Sequence, residues 1–307
     1  MSSANAQIGL YGKHPTYREF LRLNASSPCV RALDQWLSAA LPAAQRLISD
    51  WDRAYVSAPA VSFLLPHQGR CLLGVLTPSA DSSGRQFPLV LFAEMDARLM
   101  QDSYPLAPFL RQRSDMERLA ARCLRINHER LLAAAGELKL PDVRSFEIAE
   151  QEAARHFKRA TCGSTFEIMF GGSQDHDQAR VALDTLQAFG RALLPDQPLP
   201  SYGLRCPLGG FPIGDVAFWL QALQHGVSIQ FVPRLVWTQN TLLIYFTKLD
   251  TKALTVLWRI GWFDDSLADL ATTRGPAGAR PDGGPGSAAI DPELTLGALL
   301  DAQRRAP

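Results

Sequence analysis

Apolar residues form two dense runs between Val75 and Phe92, VLTPSADSSGRQFPLVLF, with a short polar loop between them. Runs rich in Val, Leu and Phe predict strands, and Pro78-Ser79-Ala80-Asp81-Ser82-Ser83-Gly84 supplies the residue types that let a backbone reverse. Cys71–Leu76 and Phe87–Phe92 are therefore expected to be antiparallel neighbours. Upstream, Gln7–Tyr11 is a short expected strand, ended by Gly12 and Pro15. Ser26-Ser27-Pro28 then marks a helix start, a capping residue before a first-turn proline. Val30, Leu33, Leu37 and Leu41 follow at helical spacing, with Trp36 and Ala40 beside them. Pro42 is expected to bend or break this helix, leaving a second helical piece to about Trp51, and Tyr55–Leu65 reads as extended.

Farther along, Leu106–Leu140 is predicted mainly helical, with Leu119, Cys123, Ile126, Arg130 and Leu131 on one face. Its arginines (Arg111, Arg113, Arg118, Arg122, Arg125 and Arg130) fall on several faces, the pattern of a solvated surface. Phe166–Phe170 reads as a strand stopped by Gly171-Gly172, and Gln178–Leu193 as an amphipathic helix. Beyond a Pro-rich link, expected elements are strands at Tyr202–Leu204, Val227–Val232 and Leu242–Phe246. Helices are expected near Asp215–His225 and Lys252–Gly261. Strands that follow one another without helical crossovers favour an α+β fold, an antiparallel-rich mixed sheet flanked by helices. Residues 1–271 are expected to form the folded unit, with sub-structures 1–195 and 196–271. Residues 272–307 read as a Gly/Pro-rich flexible linker and a short C-terminal helix.

With 307 residues, 47% of them hydrophobic, the chain can bury a substantial core. A formal net charge of +1 argues against nucleic acid as the principal partner, since phosphate backbones call for clustered Lys and Arg. No run reaches the roughly 18 to 20 apolar residues that cross a bilayer, and the first residues lack a secretory signal, so no membrane insertion and a cytoplasmic location are expected. Cys29, Cys71, Cys123, Cys162 and Cys206 are odd in number and widely spaced, which predicts reduced, packed thiols and no zinc site.

Candidate chemistry is sparse. Residues 209–215, GGFPIGD, lack the Lys-Ser/Thr of a phosphate loop and read as a tight turn with Asp215 capping the next helix. Residues 175–177, Asp-His-Asp, are contiguous and so poorly placed to converge on one metal ion. His128-Glu129 lacks a second His at helical spacing, and no GxSxG elbow occurs. No catalytic residue, cofactor or metal is therefore assigned. A Ser79 or Ser82 nucleophile aided by His14 would make a hydrolase or phosphate-handling site near residues 79–85, provided these loops meet. Arg85 either pairs with Asp81 and fixes the loop or presents its guanidinium fork to a partner.

PSADSSGRQFPLVL resembles the PSxDxxGRxFPLxL signature of the type VI secretion-associated TagF/ImpM family. Residues 9–21, GLYGKHPTYREFL, are similar to its opening GxYGKLPxxGDFV, with Tyr11, Gly12, Lys13, Pro15 and Phe20 in place. Trp36 and Trp51 follow at the family's distances. Arg18-Glu19 stands where the family has Gly-Asp, and His14 where it has Leu. The resemblance implies a cytoplasmic accessory protein of the secretion machine, a post-translational repressor that binds a forkhead-associated scaffold protein. It supplies no catalytic residues. A structural subunit of the apparatus is a further alternative. The candidate structural or interaction residues are Tyr11, Gly12, Lys13, Pro15, Glu19, Phe20, Asp81, Gly84, Arg85, Phe87 and Pro88. If Lys13, Glu19, Asp81 and Arg85 converge, they make either an ion-pair lattice with Tyr11 and Phe87 packed beneath it or a charged interaction surface.

Overall fold

The computed structural model describes residues 7–97, 115–122, 125–139, 143–171, 176–191, 200–209, 212–224, 232–259, 261–272 and 290–305. Strands β1 (Gln7–His14) and β2 (Tyr17–Leu23) form a hairpin, followed by β3 (Val61–His67), β4 (Arg70–Thr77) and β5 (Leu89–Asp96). Strands β6 (Gly203–Pro207), β7 (Arg234–Trp237), β8 (Thr241–Tyr245) and β9 (Leu267–Asp269) complete one sheet in the order β2-β1-β5-β4-β3-β7-β8-β6-β9. Its described pairings are antiparallel except that of β6 with β9. The α+β, mostly antiparallel sheet expected from element order is the one observed. β3 pairs with β7, so strands from before and after residue 195 are direct neighbours.

Both faces of the sheet are covered, which is why its central strands read as unbroken apolar runs. Alternate residues go to opposite sides. Leu73, Val75, Leu91 and Ala93 face one core, and Leu72, Leu76, Val90 and Phe92 face the other. The second core is closed by α1 (Pro28–Leu47), through Val30, Leu33, Leu37, Ala40 and Ala44, and by the short helix α2 (Trp51–Ser57) at one end. The first is closed by helices that include α3 (His128–Glu137), α4 (Val143–Arg159), α5 (Cys162–Phe170), α6 (His176–Arg191) and α7 (Pro212–Gln224). Each fully buried Leu or Phe contributes about 1.5–3 kcal/mol relative to exposure.

Several local expectations are corrected. β1 runs through Gly12 to His14, and Tyr17–Leu23 is a strand that charged Arg18, Glu19 and Arg22 hide from an apolar reading. Ser27 caps α1 as expected, accepting the Val30 amide at 3.2 Å, but the helix continues past Pro42 to Leu47. Ala40, Ala43 and Ala44 are buried around that proline, and their packing offsets the lost backbone hydrogen bond. Tyr55 lies in α2 and not in an extended piece. Phe166–Phe170 belongs to helix α5, whose Cys162, Thr165, Phe166 and Met169 bury one face. A short apolar run fits either element, and helical spacing decides here. Asp215 sits in the first turn of α7, which begins at Pro212, and accepts the Gly209 amide at 2.7 Å. β7 and β9 were not expected. Leu106–Leu140 is helical at 115–122 and 128–137, with Asn127 capping the second piece through the Arg130 amide. The expected strand at Val227–Val232, the Asp175 and Cys123 side chains and the Gly/Pro-rich stretch lie wholly or mostly outside the described residues. After that stretch, Leu296–Arg305 is the expected C-terminal helix. No described helix is long and apolar enough to cross a membrane.

Candidate functional site

The two motif-bearing segments meet at one end of the sheet. β1 carries Tyr11, Gly12 and Lys13 between β2 and β5, and the loop from Pro78 to Pro88 folds back across them. Asp81 is the hinge of this loop. One carboxylate oxygen, Oδ1, accepts the Ser83 amide at 2.9 Å, the Ser83 hydroxyl at 2.7 Å and the Arg85 amide at 3.0 Å. The other, Oδ2, pairs with Lys13 Nζ and with Arg85 Nε, the latter at 2.7 Å. Burial works against ionisation of Asp81, but the Lys13 ammonium, the Ser83 hydroxyl and the Arg85 amide and guanidinium hold its carboxyl well below the usual range. Desolvation removes much of what buried charge pairs add to stability, so their main effect here is geometric: they fix the loop's shape.

Arg85 then reaches on to β2, where it donates to the Arg18 carbonyl at 2.8 Å, and the Ser82 amide donates to the Tyr17 carbonyl at 3.2 Å. Gly84 adopts φ +85 in open space, as the reversal requires. Gly12 adopts φ +132 and lies under Pro88, so close that a Cβ there would stand 2.1 Å from the Pro88 carbonyl oxygen. Beneath the charges Tyr11, Phe20 and Phe87 pack together, with ring centroids 5.0–5.9 Å apart, and Lys13 Nζ sits 4.7 Å from the Phe20 centroid. Each such contact contributes of order 0.5–1.5 kcal/mol beyond burial. Tyr11 also donates to Asp34 at 2.7 Å; burial and that carboxylate push its phenol well up.

Of the expected residues, Tyr11, Gly12, Lys13, Phe20, Asp81, Gly84, Arg85, Phe87 and Pro88 converge. Glu19 does not: it is exposed on β2 and has no ion pair or hydrogen bond to another side chain among the described residues. Pro15 is exposed in the two-residue turn between β1 and β2. Two contributors escape a sequence reading. Tyr55 clamps Ser79 from both sides, its hydroxyl donating to the Ser79 carbonyl at 3.0 Å and accepting the Ser79 amide at 3.1 Å. Gln86 bridges α2, accepting Trp51 Nε1 at 2.5 Å and donating to Asp52 at 3.0 Å. Their only sequence signal is the i,i+4 spacing of Trp51 and Tyr55 on one helix face. An open groove of about 460 Å³ runs beside this bridge, between Ser38, Leu41 and Pro42 of α1 and Trp51, Gly84 and Gln86.

A serine hydrolase would need a serine hydroxyl aimed at the His14 ring. The Ser79 hydroxyl instead donates to the Lys13 carbonyl at 2.8 Å, and His14 Nδ1 lies 3.0 Å from the Thr16 hydroxyl. Ser82 is exposed. Among the described residues no group of His, Cys, Asp and Glu side chains has metal-site geometry.

Residues 9–134 match the family model described as the TagF N-terminal domain, type VI secretion system-associated. This stretch is thus similar to the TagF N-terminal domain. The TagF domain thus contains the whole of the ion-pair lattice and its aromatic floor. A crystal structure of PA0076 from Pseudomonas aeruginosa PAO1 is similar at 24% identity and a TM-score of 0.38, over 44% of this chain and 64% of that one. No curated protein matches the chain. The TagF match ties the chain to the type VI secretion system.

Proposed function

We propose that this protein is a non-enzymatic, cytoplasmic accessory regulator of the type VI secretion apparatus, a repressor that acts after translation by binding a forkhead-associated scaffold protein. The observation that supports this reading best is the TagF N-terminal domain match over residues 9–134, which contains both motif segments. The geometry agrees with recognition: Asp81 spends its acceptor capacity inside the protein, while Arg85, pinned by two contacts, keeps 57% of its side chain exposed. A guanidinium held in this way loses little entropy on meeting a partner.

Capture of purified scaffold by the purified protein tests the reading. A complex should form without any cofactor at protein concentrations of about 1–10 μM. Arg85→Ala should weaken it, and the melting temperature of that variant separates a lost contact from a misshapen loop. No complex at those concentrations overturns the proposal, as does substrate turnover abolished by replacing one side chain of the lattice.

A further inference from the structure

We infer that the outer edge of β2 is a docking strand for an extended, acidic segment of a partner protein, which adds to the sheet beside Glu19–Leu23. β2 ends the strand order, and among the described residues the backbone of Glu19–Leu23 forms no hydrogen bond on the side away from β1. The start of β2 is held by the signature loop: the Ser82 amide donates to the Tyr17 carbonyl and Arg85 to the Arg18 carbonyl. At the other end Asn24 turns the chain away with φ +49, its side chain donating to the Ile8 carbonyl at 2.7 Å. The open stretch is five residues long; Leu21–Leu23 are in regular register with β1, and the irregularity opposite Lys13 takes up its start, which suits a short strand addition of the kind by which peptides bind sheet edges.

Charge selects the guest. Arg18, Arg22 and Arg85 are exposed along this margin, and Arg22 stands 5.8 Å over the Tyr11 ring, which orients its guanidinium. Asp34 and Glu19 are the nearby carboxylates, and Asp34 is engaged by Tyr11. Acidic side chains of a guest strand would meet Arg22 along the open stretch and Arg18 at its end. A second copy of this chain fits less well, because it would bring its own Arg18, Arg22 and Arg85 to the same basic margin. The inference deepens the proposed regulatory reading by naming the surface and the chemistry of its partner.

The test uses fluorescein-labelled seven-residue peptides and the full chain, and so does not depend on the scaffold. A peptide alternating Glu with Val should raise anisotropy with a Kd in the range of about 10–500 μM, and its Lys counterpart should not bind. N-methylation of alternate amides on one edge of the Glu peptide should abolish binding. The double variant Arg18→Glu/Arg22→Glu should bind the Glu peptide at least about tenfold more weakly and accept the Lys peptide. Hydrogen exchange should slow at amides within Glu19–Leu23 when the Glu peptide is bound. Absence of binding up to about 1 mM, insensitivity to N-methylation or to the charge reversal, or protection elsewhere overturns the inference. Scaffold capture that fails while the peptide binds would count against the regulatory reading alone.

Discussion

Replacing Gly12 by Ala, with Gly84→Ala as its control, tests the approach of β1 to the signature loop. Both glycines have positive φ, +132 and +85, but their surroundings differ. A Cβ at Gly12 would lie 2.1 Å from the Pro88 oxygen and 2.9 Å from Leu89 Cα, both backbone atoms held in the β1–β5 ladder, whereas nothing lies within 4 Å of a Cβ at Gly84. Holding an L-residue at such a φ costs roughly 1–3 kcal/mol, and forcing atoms into a packed site costs about 1–3 more. The left-handed conformation alone costs about 1–2 kcal/mol at Gly84. At roughly 2 °C per kcal/mol for a chain of this size, Gly12→Ala should lower Tm by about 4–12 °C and Gly84→Ala by about 2–4 °C. Differential scanning fluorimetry on the two variants, with circular dichroism to confirm folding, reads the difference. Equal shifts, or a harmless Gly12→Ala, would refute the close approach of Pro88 to β1.

Tyr55→Phe removes the hydroxyl that both donates to and accepts from Ser79, leaving the buried Ser79 amide unmatched while the Ser79 carbonyl keeps the Phe87 amide; urea unfolding should show a loss of about 1–3 kcal/mol. Asp81 has a depressed folded-state pKa, so its stabilising contribution is present above about pH 4 and is lost as pH falls below that. In Tm measured against pH, Asp81→Asn should therefore differ most from the parent near neutrality, and the gap should narrow steadily as pH falls below about 4. Burial pushes the Cys29 thiol up to about 11 and those of Cys71 and Cys162 up to about 12. A raised pKa stabilises below the unfolded value, so stability should fall as pH rises from about 9 toward 12, and in a Cys123→Ser background thiol reagents should react at pH 8 only once the protein unfolds.

The parts of the site legible in the sequence were those made by local spacing. Asp81 and Arg85 are four residues apart with a glycine between them, and a turn brings such groups together. Tyr11 and Phe87 were expected beneath the charges and are there, although the third ring, Phe20, completes the cluster only because β2 folds back as a strand. β2 itself was hidden for a physical reason: an edge strand keeps polar side chains outward, which erases the alternation that reveals a half-buried strand. Glu19 does not join the lattice; it is exposed on β2. Tyr55 was missed because its partner is a backbone amide and carbonyl 24 residues away, which no side-chain pattern encodes. In α5, FEIMF is too short for composition to separate helix from strand, and contact with Phe218 is what orients Phe166.

The pairing of β3 with β7 bears on how this molecule can be cut. A fragment ending at residue 134 would contain the whole family match, yet it would strip β3 of the neighbour that caps Ser62, Phe63 and Leu64. Such a piece would bare the backbone groups of this three-residue seam in what had been an interior, an edge open to pairing with other chains. The family-matched part and the remainder therefore share one sheet, and dissection is best done by side chain within the intact chain.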